Sequence, residues 1–148
     1  MSIELSEAEI KSAALFFLFA QLNEVKAVES TGRALQTLQI LFERNNKFRN
    51  STTIIRECSA LIKKKSSTFN NFQNLKYYKF PSDIKIKPWL KCYQESDLAN
   101  LITFIWVAIV GISSKEVAIG LNLTENTVNY RVGQMYQLLG RISEDENA

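Results

Sequence analysis

The chain has 148 residues, enough for one ordinary domain, and a hydrophobic content of 46%, which supplies a core and argues against intrinsic disorder. Five glycines and two prolines among many helix-forming residues predict an all-α fold and exclude an all-β one. The net charge of +3 hides an asymmetry, because residues 44–91 carry twelve basic and two acidic groups, a net charge of +10. So basic a segment predicts contacts with phosphates or with an acidic protein surface, or simply a solvated lysine-rich face.

Few residues of this chain suit catalysis or metal binding. The sequence has no histidine, and its two cysteines, Cys58 and Cys92, lack zinc-type spacing, so we expect no metal, no cofactor and no enzymatic activity. An acidic start does not resemble a secretory signal, and the apolar runs at 13–22 and 98–112 are too short to cross a bilayer. We therefore expect a cytoplasmic protein without membrane contact.

Three helices are predicted in the N-terminal region, which comprises the first 65 residues. Ser6 is a good N-cap, and Glu9 three residues later completes a reciprocal capping pair, so the first helix is predicted over 6–23. Apolar residues at spacings of three and four then predict helices over 30–44 and 51–65.

The first predicted helix is apolar on every side, because Phe16, Phe17 and Phe19 cannot share one narrow stripe. Two short neighbouring helices offer too little surface to bury it, so a homodimer through the N-terminal helices is predicted. The third predicted helix ends in a basic cluster that suits the negative end of the helix dipole and also suits DNA phosphates. Its members are Lys63, Lys64 and Lys65.

Residues 66–96 are predicted to form a basic aromatic linker, because serine, asparagine, proline and aromatic residues replace the helical spacing. The alternation over 83–87 allows a short strand that Pro88 would end. Aromatic residues interleaved with lysines suit a nucleic-acid surface, but they equally suit a linker held to a core by its aromatic side chains, which we favour. These aromatic residues are Tyr77, Tyr78, Phe80, Trp89 and Tyr93.

Residues 97–141 carry the spacing of a helix-turn-helix. An enclosed helix is predicted over 98–110, where the sequence is apolar nearly all round. Ser113 can cap the next helix, and Asn122 suits the left-handed backbone of the turn that follows. Thr124 can cap a long final helix, after which the acidic tail 142–148 is predicted to be disordered.

This segment resembles the C-terminal helix-turn-helix of bacterial sigma factors, the region 4 domain, and more broadly the response-regulator type. The resemblance covers about 45 residues, and the family pattern matches without a gap. The matching positions are Ser113, Glu116, Val117, Ala118, Leu121, Leu123, Thr124, Thr127, Val128, Arg131 and Leu139. Nothing in residues 1–90 resembles the sigma domain that binds the −10 promoter element, so the chain is not predicted to be a whole sigma factor.

The resemblance implies that the final helix enters the major groove of double-stranded DNA with its capped N-terminus first. Asparagine and glutamine can form paired hydrogen bonds with adenine, glutamate can accept from cytosine, and Arg131 would hold a phosphate. The DNA contacts predicted on the motif are Thr124, Glu125, Asn126, Asn129, Tyr130, Arg131, Gln134 and Lys115.

The final helix departs from the family in its charge. Gln134 and Gln137 stand where region 4 helices usually carry basic residues, and phosphate neutralisation supplies most non-specific affinity. Two interpretations follow. The favoured one is a DNA-binding transcription regulator whose basic middle segment supplies the missing attraction, and the other is a sigma-like module that contacts RNA polymerase or a signalling protein without reading DNA.

Overall fold

The structure, a computed structural model, describes residues 3–67 and 85–147, and in those two ranges it contains seven α-helices and no strand. The predicted all-α fold is therefore confirmed. The helices are α1 (Glu7–Gln21), α2 (Glu24–Arg44), α3 (Ser51–Ala60), α4 (Ile86–Glu95), α5 (Leu98–Phe104), α6 (Ser114–Leu121) and α7 (Glu125–Asn147). A 3-10 turn, Asn46–Phe48, follows α2, and a π-helical segment, Ile105–Val110, continues α5.

Local caps set the ends of the first helices. The predicted capping pair forms at the start of α1, where the Glu9 amide donates to Ser6 Oγ at 3.1 Å and the Ser6 amide donates to Glu9 Oε1 at 2.7 Å. Asn23 caps α2, because its Oδ1 accepts from the amide of Lys26 at 3.1 Å. Helix α2 therefore begins at Glu24, six residues before the predicted start.

Helix α1 is enclosed by its own chain. Every residue from 13 to 20 is buried, with relative exposures of 6% or less. Phe16 stacks on Trp106 with ring centroids 4.2 Å apart, and the hydroxyl of Tyr93 donates to the carbonyl of Ala20 at 2.8 Å. The apolar surface on which the predicted homodimer depended is thus covered within one chain.

Residues predicted as linker form helix α4. Pro88 is its third residue, where the missing amide hydrogen breaks no intrahelical bond, so the proline does not end the segment. Trp89 and Tyr93 are buried, with relative exposures of 3% and 1%. They hold this segment to the core, which is the role that we favoured for its aromatic residues. The other aromatic residues of that set, Tyr77, Tyr78 and Phe80, lie outside the described residues, as do residues 83 and 84 of the suggested strand. The rest of that suggestion is wrong, because Lys85 precedes α4 and Ile86 and Lys87 are its first two residues.

The predicted enclosed helix over 98–110 is present as α5 and its π-helical segment. The amides of Gly111 and Ile112 both donate to the carbonyl of Trp106, at 3.1 and 2.9 Å, and Gly111 ends the helix with a φ of 90°. Among the described residues, no helix combines the length and apolarity that crossing a bilayer requires.

The last two helices pack against the earlier helices of the chain. Helix α6 packs on α3, and α7 packs on α4, α5 and α6, so the core is continuous from α1 to α7. Helix α7 continues to Asn147, and Ile142 is 2% exposed. The tail predicted to be disordered from residue 142 is therefore helical up to 147, because Ile142 extends the apolar face of α7 into the core.

Candidate nucleic-acid interface

The turn between α6 and α7 has the geometry that its residues predict. Ser113 Oγ accepts from the amide of Glu116 at 3.3 Å, which caps the start of α6. Asn122 ends α6 in the left-handed region, at φ 57° and ψ 50°, a conformation that asparagine tolerates better than most residues. The amide of Leu123 then donates back to the carbonyl of Ala118 at 2.8 Å, so α7 starts immediately after a tight reversal.

Thr124 caps α7 and leaves one face of this helix open. Its Oγ1 accepts from the amide of Thr127 at 3.1 Å. Val128 and Met135, with exposures of 0% and 1%, point inward. The predicted contact residues on the opposite side are all exposed: Thr124, Glu125, Asn126, Asn129, Tyr130 and Gln134. Lys115 on α6 is exposed as well. The structure thus brings seven of the predicted residues to the surface of two adjoining helices.

Arg131 does not lie on that open face. Its side chain is half-buried, and Nη1 donates to Thr103 Oγ1 on α5 at 3.4 Å. Thr103 itself donates to the carbonyl of Ala99 at 2.8 Å, so its oxygen is free to accept from the guanidinium. The arginine predicted to hold a phosphate therefore links α7 to its supporting helix, and none of the predicted contacts that remain exposed on α7 is a cation.

The lysine cluster has two different roles in the structure. Helix α3 ends at Ala60, so the three lysines follow the helix and do not form its last turn. Lys63 and Lys64 are exposed. Lys65 Nζ instead donates to three carbonyls at the end of α4, those of Tyr93, Gln94 and Ser96, at 3.2, 3.0 and 2.9 Å. Because Lys65 satisfies the free carbonyls of a helix C-terminus, its expected contact with DNA phosphate is replaced by a structural one.

The position of α3 separates Lys63 and Lys64 from the turn. Gly120, near the end of α6, lies against Ile55 and against the carbonyl of Thr52 in the first half of α3. Helix α3 ends at Ala60, about 12 Å along the helix axis from Thr52 at 1.5 Å per residue, and Lys63 and Lys64 follow that end. There they line a pocket with Gln21 of α1 and Lys26 of α2.

Two further lysines, both on α4, are candidates for phosphate contacts that were not predicted from the sequence. Lys87 and Lys91 are exposed, lie one helical turn apart, and belong to a helix that packs on α7. The buried residues Trp89, Cys92 and Tyr93 of the same segment have helical spacing, which was the available signal. The suggestion that Pro88 ends a strand obscured this helical spacing.

Neither cysteine is exposed, and the described residues hold no cluster of metal ligands. Burial, followed by the neighbouring Glu57, raises the pKa of the Cys58 thiol, and burial raises the pKa of Cys92 to about 11. Both thiols are thus protonated near neutral pH, and within the described ranges no three potential metal ligands lie together. Comparison of the chain with protein-family models, with curated proteins and with solved structures found no match. A functional assignment therefore depends on the geometry described above.

Proposed function

We propose that this chain is a DNA-binding transcription regulator that acts in the cytoplasm and reads double-stranded DNA with the exposed face of α7. The observation that carries the proposal is the capped, uncovered N-terminal half of α7, presented directly after a left-handed turn at Asn122. A helix offered in this way can enter the major groove with its free amides toward phosphate.

The side chains on this face suit base recognition. Asn126, Asn129 and Gln134 each carry a donor and an acceptor, the combination that pairs with the N6 and N7 atoms of adenine. Glu125 at the helix start can accept from cytosine N4. Tyr130, 67% exposed, adds a flat ring that can contact a thymine methyl group or the sugar backbone. Each paired contact contributes about 1 to 3 kcal/mol of discrimination between bases.

Because Arg131 is turned inward, the exposed contacts in the N-terminal half of α7 include no cation, so the attraction to phosphate has to come from other residues. Lys115 on α6 and the pair Lys87 and Lys91 on α4 are the exposed cations on helices that pack against α7. Few phosphate contacts mean weak non-specific binding with a shallow salt dependence, since each contact contributes about 0.9 to the log–log slope.

The test is a titration of the full chain against genomic DNA fragments at two salt concentrations, followed by variants at the preferred site. Asn129→Ala should weaken binding there by about 1 to 3 kcal/mol and leave random DNA unaffected. Gln36→Ala, an exposed amide on α2, is the matched control and should change neither. The double variant Lys87→Gln and Lys91→Gln should weaken all sequences alike. Absence of binding to any fragment at low salt would reject the proposal.

A second candidate function is docking on a protein such as RNA polymerase. It is favoured by Ile119 and Tyr130, which are 63% and 67% exposed on α6 and α7. Under this alternative, Ile119→Asp would abolish binding to purified RNA polymerase, whereas Val25→Asp, at a similarly exposed position on α2, would not. Polymerase binding without any DNA binding would favour this candidate over the first.

A further inference from the structure

An open apolar cleft lies on the side of α7 that faces α4 and the π-helical segment, along the second half of α7. Its volume is about 520 Å³, within the range of sites that hold small molecules. The apolar wall residues include Trp89, Phe104, Ile109 and Leu139. The π-helical segment contributes one wall, and such segments occur frequently at functional sites.

The wall contains a donor without an acceptor. Trp89 is 3% exposed, and its indole Nε1 is buried and makes no hydrogen bond. A buried N–H without a partner is unfavourable by about 1 to 3 kcal/mol, so most native structures provide one. The other tryptophan of the chain, Trp106, does have a partner, because its Nε1 donates to Ser59 Oγ at 2.9 Å.

The charged and polar side chains that line the cleft determine which hydrogen-bond acceptor a ligand should carry. Among the described residues that line the cleft, Lys85 is the charged one, none is acidic, and the hydroxyls of Tyr136 and Ser143 complete the polar groups. An anionic acceptor therefore meets a cation and donors, whereas a cationic group would meet the like charge of Lys85 and no acidic side chain among the described lining residues. Because the Trp89 nitrogen is covered, entry requires a wall side chain to turn, and Tyr136, 57% exposed, has the room to do so.

We propose that this cleft binds a small apolar molecule that ends in a carboxylate. The apolar body lies along Phe104, Ile109 and Leu139, and the carboxylate accepts from the indole N–H of Trp89 and faces the Lys85 ammonium. This site is separate from the exposed N-terminal face of α7, so it does not depend on DNA binding.

The test uses the two indole signals in a ¹H–¹⁵N spectrum of the full chain, titrated with decanoate below its micelle concentration. Ser59→Ala identifies the Trp106 signal, because that change removes its acceptor. We expect decanoate to move the Trp89 signal downfield in a saturable way and to leave the Trp106 signal in place. Decanol should bind more weakly and decylammonium should not bind, since both lack the carboxylate. No movement of the Trp89 signal, or equal binding of decanol, would overturn the proposal.

Two glycines of α7 give matched variants. A side chain at Gly140 has nothing within 4 Å and extends into the cleft, so Gly140→Leu should abolish the decanoate response without unfolding the helix. Gly133 also has open space but does not line the cleft, so Gly133→Leu should retain the response. Lys85→Gln should weaken binding by up to about fivefold, as for an exposed ion pair. A decanoate response retained in Gly140→Leu would overturn the proposal. So would a smaller molar mass of that variant in light scattering without ligand, because the cleft would then bind a second copy of the chain.

Discussion

Gly120 lies where α6 meets α3, and the structure leaves no room there for a side chain. A Cβ at this position would lie 2.7 Å from both Cβ and Cγ2 of Ile55, and 3.1 Å from the carbonyl oxygen of Thr52. Ile55 is fully buried and branched at Cβ, so neither atom can move aside without shifting α3. We therefore predict that Gly120→Ala loosens the packing of α6 on α3.

The magnitude follows from comparison with the glycines of α7. Alanine in place of glycine stabilises a helix interior by up to about 1 kcal/mol. Because a side chain at Gly133 or Gly140 would have open space, Gly133→Ala and Gly140→Ala should both stabilise the protein. At Gly120 the same gain is opposed by overpacking, which is destabilising by about 1 to 3 kcal/mol. Gly120→Ala should thus be less stable than Gly140→Ala by roughly 1 to 3 kcal/mol.

Urea unfolding followed by circular dichroism measures this difference directly. A difference of 1 kcal/mol corresponds to about 2 to 4 °C in the midpoint of thermal unfolding for a chain of this size. Equal or greater stability of Gly120→Ala relative to Gly140→Ala would refute the reasoning, because α6 could not then lie against Ile55 as described.

Three further predictions concern buried or paired groups. Lys65→Ala should lower the stability by roughly 1 to 3 kcal/mol in thermal unfolding, because three carbonyls lose a charged donor, whereas alanine at either preceding lysine should have little effect. The hydrogen bonds from Arg49 lower the pKa of Glu9 below its ordinary value of 4.5. The stability that they provide is therefore present above pH 4.5 and is lost as the pH falls through the lowered pKa. Glu9→Gln should remove this part of the acid unfolding transition, and an unchanged acid titration would contradict the pairing. Cys58 and Cys92 should resist alkylation at pH 8 in the folded protein and react once it is unfolded, as a thiol assay with and without urea would reveal.

Local signals predicted the caps and the turn of α6 and α7. The caps at Ser113 and Thr124 and the left-handed Asn122 depend on hydrogen bonds within four residues, so spacing in the sequence was sufficient to locate them. The start of α2 was predicted late, because the cap at Asn23 was overlooked.

The roles of the cations could not be read from spacing. Arg131 has the position of a phosphate contact, but its partner Thr103 is 28 residues away. The three acceptors of Lys65 are 28 to 31 residues away, on a helix that Pro88 obscured. A long flexible cation can reach either solvent or a helix end, and only the packing of α4 and α5 decides between them.

The enclosure of α1 has a consequence for synthesis on the ribosome. Phe16 leaves the exit tunnel 90 residues before Trp106, and Ala20 leaves it 73 residues before Tyr93. At roughly 5 to 20 residues per second, several seconds pass before α1, which α2 and α3 also contact, can pack against these two side chains. During that interval α1 is a nascent binding site for chaperones, and a ribosome stalled before α4 would hold a chain prone to aggregation.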